Sequence, residues 1–155
     1  MQREKGFSYP IAMFLVALLT LVSVRALEMT MTAERRDKEA ELLVIGQAYR
    51  DAIRSYYDNS PGTAKVYPPE LSAMLQDART TRVRRHLRKL YRDPVTAGSE
   101  WGVIRTEQGT IKGVYSLSNL RPFKRDGFPS ELALFAGAAH YSQWTFVYEP
   151  ALGAK

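Results

Sequence analysis

The sequence predicts an α+β fold in which one very long N-terminal helix packs against a small antiparallel sheet. The first half of that helix reads as a membrane segment and the second as an amphipathic spine. Three observations predict this. Residues 7–24 form an apolar run that passes into a charged and then periodic segment ending at Tyr56-Tyr57, with no Pro after Pro10 and Gly46 as its only Gly. Asp58-Asn59-Ser60-Pro61-Gly62 follows as a cluster of turn formers. Beyond residue 100 the apolar period drops towards two over residues 100–106, 110–117 and 143–149, the spacing of half-buried strands.

The chain has 155 residues, a length that suits one domain. Its organisation reads as a leader at residues 1–6, a transmembrane or assembly helix at 7–27 and a head at 28–155 that includes the second half of the long helix. The formal charge is +6, and much of the excess sits in residues 79–92, between Asp77 and Asp93. No Cys is present, which excludes disulfides, thiolate metal sites and a lipid-modified Cys.

Taken in order, Arg3 and Lys5 precede the apolar run, with Glu4 the leader's only acid. The positive-inside bias therefore predicts a cytoplasmic leader and a head outside the cytoplasm. At about 1.5 Å per residue, residues 7–24 would cross roughly 27 Å of hydrocarbon. Pro10 falls in the first turn, where its missing N–H costs nothing, and Arg25 can snorkel to the interface. Glu34–Lys38 and Arg35–Glu39 are i,i+4 pairs that predict a solvated helix face. Leu42, Ile45, Tyr49, Ile53 and Tyr56 recur at helical spacing, with Ala52 beside them, and form the stripe on which a head would dock.

Residues 63–94 read as a connecting region. Pro68-Pro69-Glu70 predicts a helix start with Leu71, Met74 and Leu75 on one face, and residues 80–92 predict a second short helix with Val83, Leu87, Leu90 and Tyr91 inward. Arg82, Arg84, Arg85 and Arg88 would then crowd the opposite side as a candidate interaction patch. Nucleic acid is not the favoured partner, because no aromatic platform accompanies these arginines. A protein or lipid contact is preferred, with Glu28 and Glu34 among candidate acidic partners, beside the plain alternative of a solvated face. Strands at 100–106 and 110–117 would be joined by Glu107-Gln108-Gly109. A third strand at 143–149 would alternate Trp144, Phe146 and Tyr148 with Thr145, Val147 and Glu149.

The N-terminus admits three readings from its residues. Val24-Arg25-Ala26 places small residues where signal peptidase cuts, with Arg25 awkward at the penultimate position. A plain single-pass anchor is the second. The third places cleavage before the apolar run, at Lys5-Gly6-Phe7.

Gly6-Phe7-Ser8-Tyr9, with a short charged leader before it and the apolar run after it, resembles a type IV prepilin signal. Tyr67-Pro68, Leu90-Tyr91-Arg92-Asp93-Pro94, Glu100-Trp101-Gly102 and Gly113-Val114-Tyr115-Ser116-Leu117-Ser118 are similar to type II secretion pseudopilins of the major (G-type) kind. The resemblance implies a type IV pilin-like fold, cleavage after Gly6 by prepilin peptidase and N-methylation of Phe7. It also implies an assembly helix that includes Phe7, Tyr9, Pro10, Ile11, Phe14, Leu15 and Leu18. The implied partners are other pseudopilins in a homo- or hetero-oligomeric filament, the peptidase, an inner-membrane assembly platform and membrane lipid, with the head in the periplasm. Ile11 departs from the pattern, since most family members carry a Glu there that pairs with a neighbouring subunit's terminal amine. By that analogy a subunit with Ile11 is a minor or specialised one. The absence of Cys favours a pseudopilin over a disulfide-stapled pilin.

Catalysis has little support. His86 and His140 are not at ligand spacing and belong to no nucleophile motif, so both read as structural, and no phosphate-binding loop occurs. G-type relatives bind calcium in a C-terminal loop, but here only Asp126 and Glu131 lie close together, beside Lys124 and Arg125, so no metal and no cofactor is expected. Two other functions remain open. One is a minor or DNA-uptake pilin using the four arginines. The other is a soluble periplasmic binding protein released by cleavage after Ala26.

Overall fold

The computed structural model describes residues 8–80, 82–98 and 100–150, the side chains of Ser8 and of residues 26–28 excepted. It divides into two compact units, Met1–Asp37 and Lys38–Lys155. Helix α1, Ser8–Asp58, is 51 residues long. It is long and apolar enough at its N-terminal end to cross a membrane.

In the first unit the side chains of residues 9–25 are all exposed. Two of the polar groups among them are turned back into the helix. Thr20 and Ser23 donate their hydroxyl protons to the carbonyls of Val16 and Leu19, each at 2.8 Å. That satisfies two donors on a surface made mostly of Leu, Val, Met, Phe, Ile and Ala, as an apolar surrounding demands.

In the second unit the remainder of α1 carries the core. Leu42, Ile45, Tyr49, Ala52, Ile53 and Tyr56 are buried along one face. Strands β1 (Gly102–Arg105), β2 (Ile111–Tyr115) and β3 (Thr145–Val147) form one antiparallel sheet in the order β1-β2-β3. Val114 lies opposite Val103 on one side and Phe146 on the other. Val114 and Phe146 are fully buried. Phe146 meets Phe135 edge-to-face at 5.0 Å, and Phe135 stacks on Trp144 at 5.4 Å. The only Gly in α1 explains itself here: a Cβ on Gly46 would lie 2.5 Å from Phe146 Cδ2 and closer still to Cε2 and Cζ. The hairpin between β1 and β2 closes through Thr106 N–H to the Thr110 carbonyl, with Gly109 at φ +81°.

The strands are shorter than their sequence periods. Trp101 leaves β1 because its indole N–H donates to the Tyr91 carbonyl at 2.9 Å, and Ser116 leaves β2 because its hydroxyl donates to Asp93 at 2.6 Å. Tyr141–Gln143 is a 3-10 turn, so β3 starts at Thr145. Pro68-Pro69-Glu70 precedes a single 3-10 turn, Leu71–Met74, in which Met74 is buried.

Two expectations are corrected. No helix forms among the described residues of 80–92. The segment runs as an irregular, extended strap, tied to Asp77 by the paired backbone bonds of Arg84 and to Met74 by the N–H groups of His86 and Leu87. As a helix it would set Arg84 under Arg88, Arg85 under Lys89 and Arg88 under Arg92, all repulsive i,i+4 pairs. Nor does Glu39 lie on a solvated face. It is buried, and its carboxylate accepts the N–H groups of Phe123 at 2.7 Å and Lys124 at 3.1 Å and the Tyr141 hydroxyl at 2.8 Å.

Candidate functional site

Gly6 and Phe7, the residues of the expected processing site, lie outside the described residues. Of the expected assembly residues, Tyr9, Pro10, Ile11, Phe14, Leu15 and Leu18 are all exposed in the first unit. Phe14 is 68% exposed and Ile11 47%. The structure therefore leaves on α1 a continuous apolar surface about five turns long that its own unit does not cover.

The expected docking residues Leu42, Ile45, Tyr49, Ile53 and Tyr56 lie in the core of the second unit. Tyr49 does more than fill space. Its hydroxyl donates to the Tyr91 carbonyl at 3.1 Å and accepts the Tyr91 N–H at 2.9 Å, and its ring lies 5.2 Å from that of Trp101. Burial pushes its phenol pKa up.

The basic segment splits into inward and outward residues. Arg79 turns inward: its Nε and Nη2 donate to Asp77 at 2.8 and 2.7 Å, Nη1 to Ser60 Oγ, and Nη2 also to the Tyr56 carbonyl, while the guanidinium lies 3.5 Å from the Tyr56 ring centre. His86 also turns inward, its Nε2 at 3.2 Å from Asp77 Oδ2 and its Nδ1 at 2.8 Å from Ser55 Oγ. The Arg79 hydrogen bonds hold the Asp77 carboxyl well below the usual carboxylate range. Arg82, Arg84, Arg85 and Arg88 are exposed. Arg84 hydrogen-bonds Asn59 near the end of α1.

Ser55, His86 and Asp77 superficially parallel a nucleophile, base and acid. The geometry serves another end. The His86 side chain is only 2% exposed, so no substrate reaches it, and Asp77 is committed to Arg79. The array fastens the strap to α1. His140 is equally local: its Nδ1 bonds the Asn119 carbonyl at 2.6 Å and it caps the turn that Gln143 closes. Glu131 pairs with Arg50 at 2.6 Å, away from any role with Asp126, and the described residues hold no group of three or more His, Asp or Glu side chains arranged for a metal.

Three buried carboxylates, Glu39, Asp77 and Asp93, organise the second unit, and sequence reasoning gave none of them that role. Asp93 accepts the N–H groups of Val95 and Thr96 on one oxygen and the Ser116 hydroxyl on the other. A signal existed for Glu39, which lies three residues before Leu42 and so extends the docking stripe. Asp93 before Pro94 suits an Asx turn. Asp77 had no comparable signal, because no period in the chain marks its pairing with Arg79, two residues on, and with His86, nine residues on. Set against protein-family models, curated proteins and solved structures, the chain matches none of them.

Proposed function

We propose that this chain is a structural, non-enzymatic subunit of a type II secretion, pilus-like filament, a pseudopilin with a type IV pilin-like fold. In this reading it is made as an inner-membrane precursor, its N-terminus cytoplasmic and its head periplasmic. Prepilin peptidase cuts after Gly6 and Phe7 is N-methylated. The observation that carries the reading is α1 itself: one helix bears an uncovered apolar surface in its first half and the core stripe of a small antiparallel α+β unit in its second. A soluble enzyme has no use for the first feature, and a plain anchor has no need for the second to lie on the same helix.

Assembly follows from the physics of that surface. Lipid tails and side chains such as Phe14, Leu15 and Leu18 are equally apolar, so subunits gain by close fit rather than by further hydrophobic burial. Ile11 supplies no charge to pair with a neighbour's terminal amine, which suits a minor position. The test is the mass and N-terminal residue of the mature protein from the membrane fraction. Phe7 with an added methyl is expected. A terminus at Leu27 in the soluble fraction overturns the proposal, because the assembly helix would be gone.

A further inference from the structure

The strap at residues 82–92 holds six cations, five Arg and one Lys, and no acid. The whole chain holds 22 Lys and Arg against 16 Asp and Glu, so without the strap the remaining charges balance at 16 each. All of the formal excess therefore corresponds to one short segment. Its inward residues are fixed: the backbone of Arg84 pairs with Asp77, His86 and Leu87 bond Met74 and are buried at their side chains, and Tyr91 is held by Tyr49. Around these anchors Arg82, Val83, Arg85, Arg88, Lys89, Leu90 and Arg92 are directed to solvent. No ion pair engages these cations among the described residues.

We propose that this strap is a docking surface for an acidic protein other than a second copy of this chain. Four observations select that occupant. Arginine outnumbers lysine, and its planar fork pairs with carboxylates and phosphates alike, so it calls for an anionic partner and the choice among anions rests on the other three. Val83 and Leu90 are 59% and 46% exposed among the cations, giving aliphatic contacts that a phosphate backbone does not use. The outward residues of the strap include no aromatic on which bases would stack. A second copy brings the same net charge of +6, and its strap repels this one. The anchored backbone also spares the partner the cost of ordering a loop. The inference concerns a different surface from the apolar half of α1 and does not depend on the filament reading.

The test uses the full chain in neutral detergent. Its probes are a soluble peptide of Glu-Glu-Leu repeats, a DNA duplex and phosphatidylglycerol vesicles, each at low and high salt. The peptide is expected to bind, to weaken about tenfold in Arg85→Glu/Arg88→Glu, and to weaken in Val83→Ser/Leu90→Ser. Arg121→Glu/Arg125→Glu makes the same change in net charge away from the strap and is expected to leave binding intact. Circular dichroism of each variant separates lost binding from lost fold. The proposal is overturned if DNA or the vesicles bind and the peptide does not. It is equally overturned if both double reversals weaken the peptide alike, or if Arg85→Glu/Arg88→Glu abolishes self-association in sedimentation. The N-terminal residue plays no part in these readouts, so a terminus at Leu27 would remove the filament reading and leave this one standing.

Discussion

Gly46→Ala separates local propensity from packing. In an isolated helix the change would stabilise by about 1 kcal/mol, because Ala loses less backbone freedom than Gly. In this molecule the new Cβ would stand 2.5 Å from Phe146 Cδ2, with Cε2 and Cζ nearer still. Phe146 has nowhere to retreat. It is fully buried, with Phe135 against it at 5.0 Å and Val114 beside it in the sheet. Overpacking of this kind costs about 3 kcal/mol at its upper end, which leaves a net loss near 2 kcal/mol. For a domain of this size that corresponds to a fall in Tm of roughly 8 °C. The assay is thermal unfolding of the full chain in detergent, followed by circular dichroism. Phe146→Leu should partly rescue Gly46→Ala, with a coupling above about 1 kcal/mol in the double-mutant cycle. An unchanged or raised Tm for Gly46→Ala, or strict additivity with Phe146→Leu, would refute the packing argument.

Other predictions follow from the buried polar groups. Arg79→Ala strips the buried Asp77 of its main partner and should cost about 3 kcal/mol in urea unfolding; a loss below about 1 kcal/mol would show that Asp77 is not the anchor of the strap. Because the folded Asp77 pKa is depressed, its contribution is fully present above the unfolded value near 4 and is lost as pH falls below it. Wild-type Tm should therefore drop between pH 5 and pH 2.5, with a shallower drop in Asp77→Asn, and parallel curves would contradict the assignment. Glu39→Ala leaves two backbone N–H groups and the Tyr141 hydroxyl unpaired, at a cost of about 3 kcal/mol, and should speed tryptic cleavage after Lys124 and Arg125. Tyr49→Phe removes both bonds to Tyr91 and should cost about 1–2 kcal/mol, read as faster amide exchange at Tyr91 and its neighbours.

Much of the architecture was legible because it rests on local patterns. The spacing of Leu42, Ile45, Tyr49, Ile53 and Tyr56 marks one face of a helix whatever packs on it, and Asp58-Asn59-Ser60-Pro61-Gly62 ends that helix by turn chemistry alone. The alternation about Val114 and Phe146 marks strands in the same way. Strand ends were less legible, since Trp101 and Ser116 leave the sheet for partners at Tyr91 and Asp93. The strap has a misleading pattern, because Val83, Leu87, Leu90 and Tyr91 share a helical period by coincidence. Only Leu87 among them is buried, while His86, which the pattern places among the polar residues, and Arg79, just ahead of it, make the inward contacts.

The kind of each main element is written in the chain: a helix of some 50 residues with an apolar first half, a small antiparallel sheet, and a strongly basic segment between them. Those follow from period, breakers and charge, which act over a few residues. That Glu39 faces the interior, that Gly46 makes room for Phe146, and that residues 82–92 run extended with their arginines outward emerges from packing between segments. Glu39 and Gly46 depend on partners more than 80 residues away, and the strap depends on Met74 and Asp77 nearby together with Tyr49 and Ser55 on α1, pairings that leave no periodic trace in the chain.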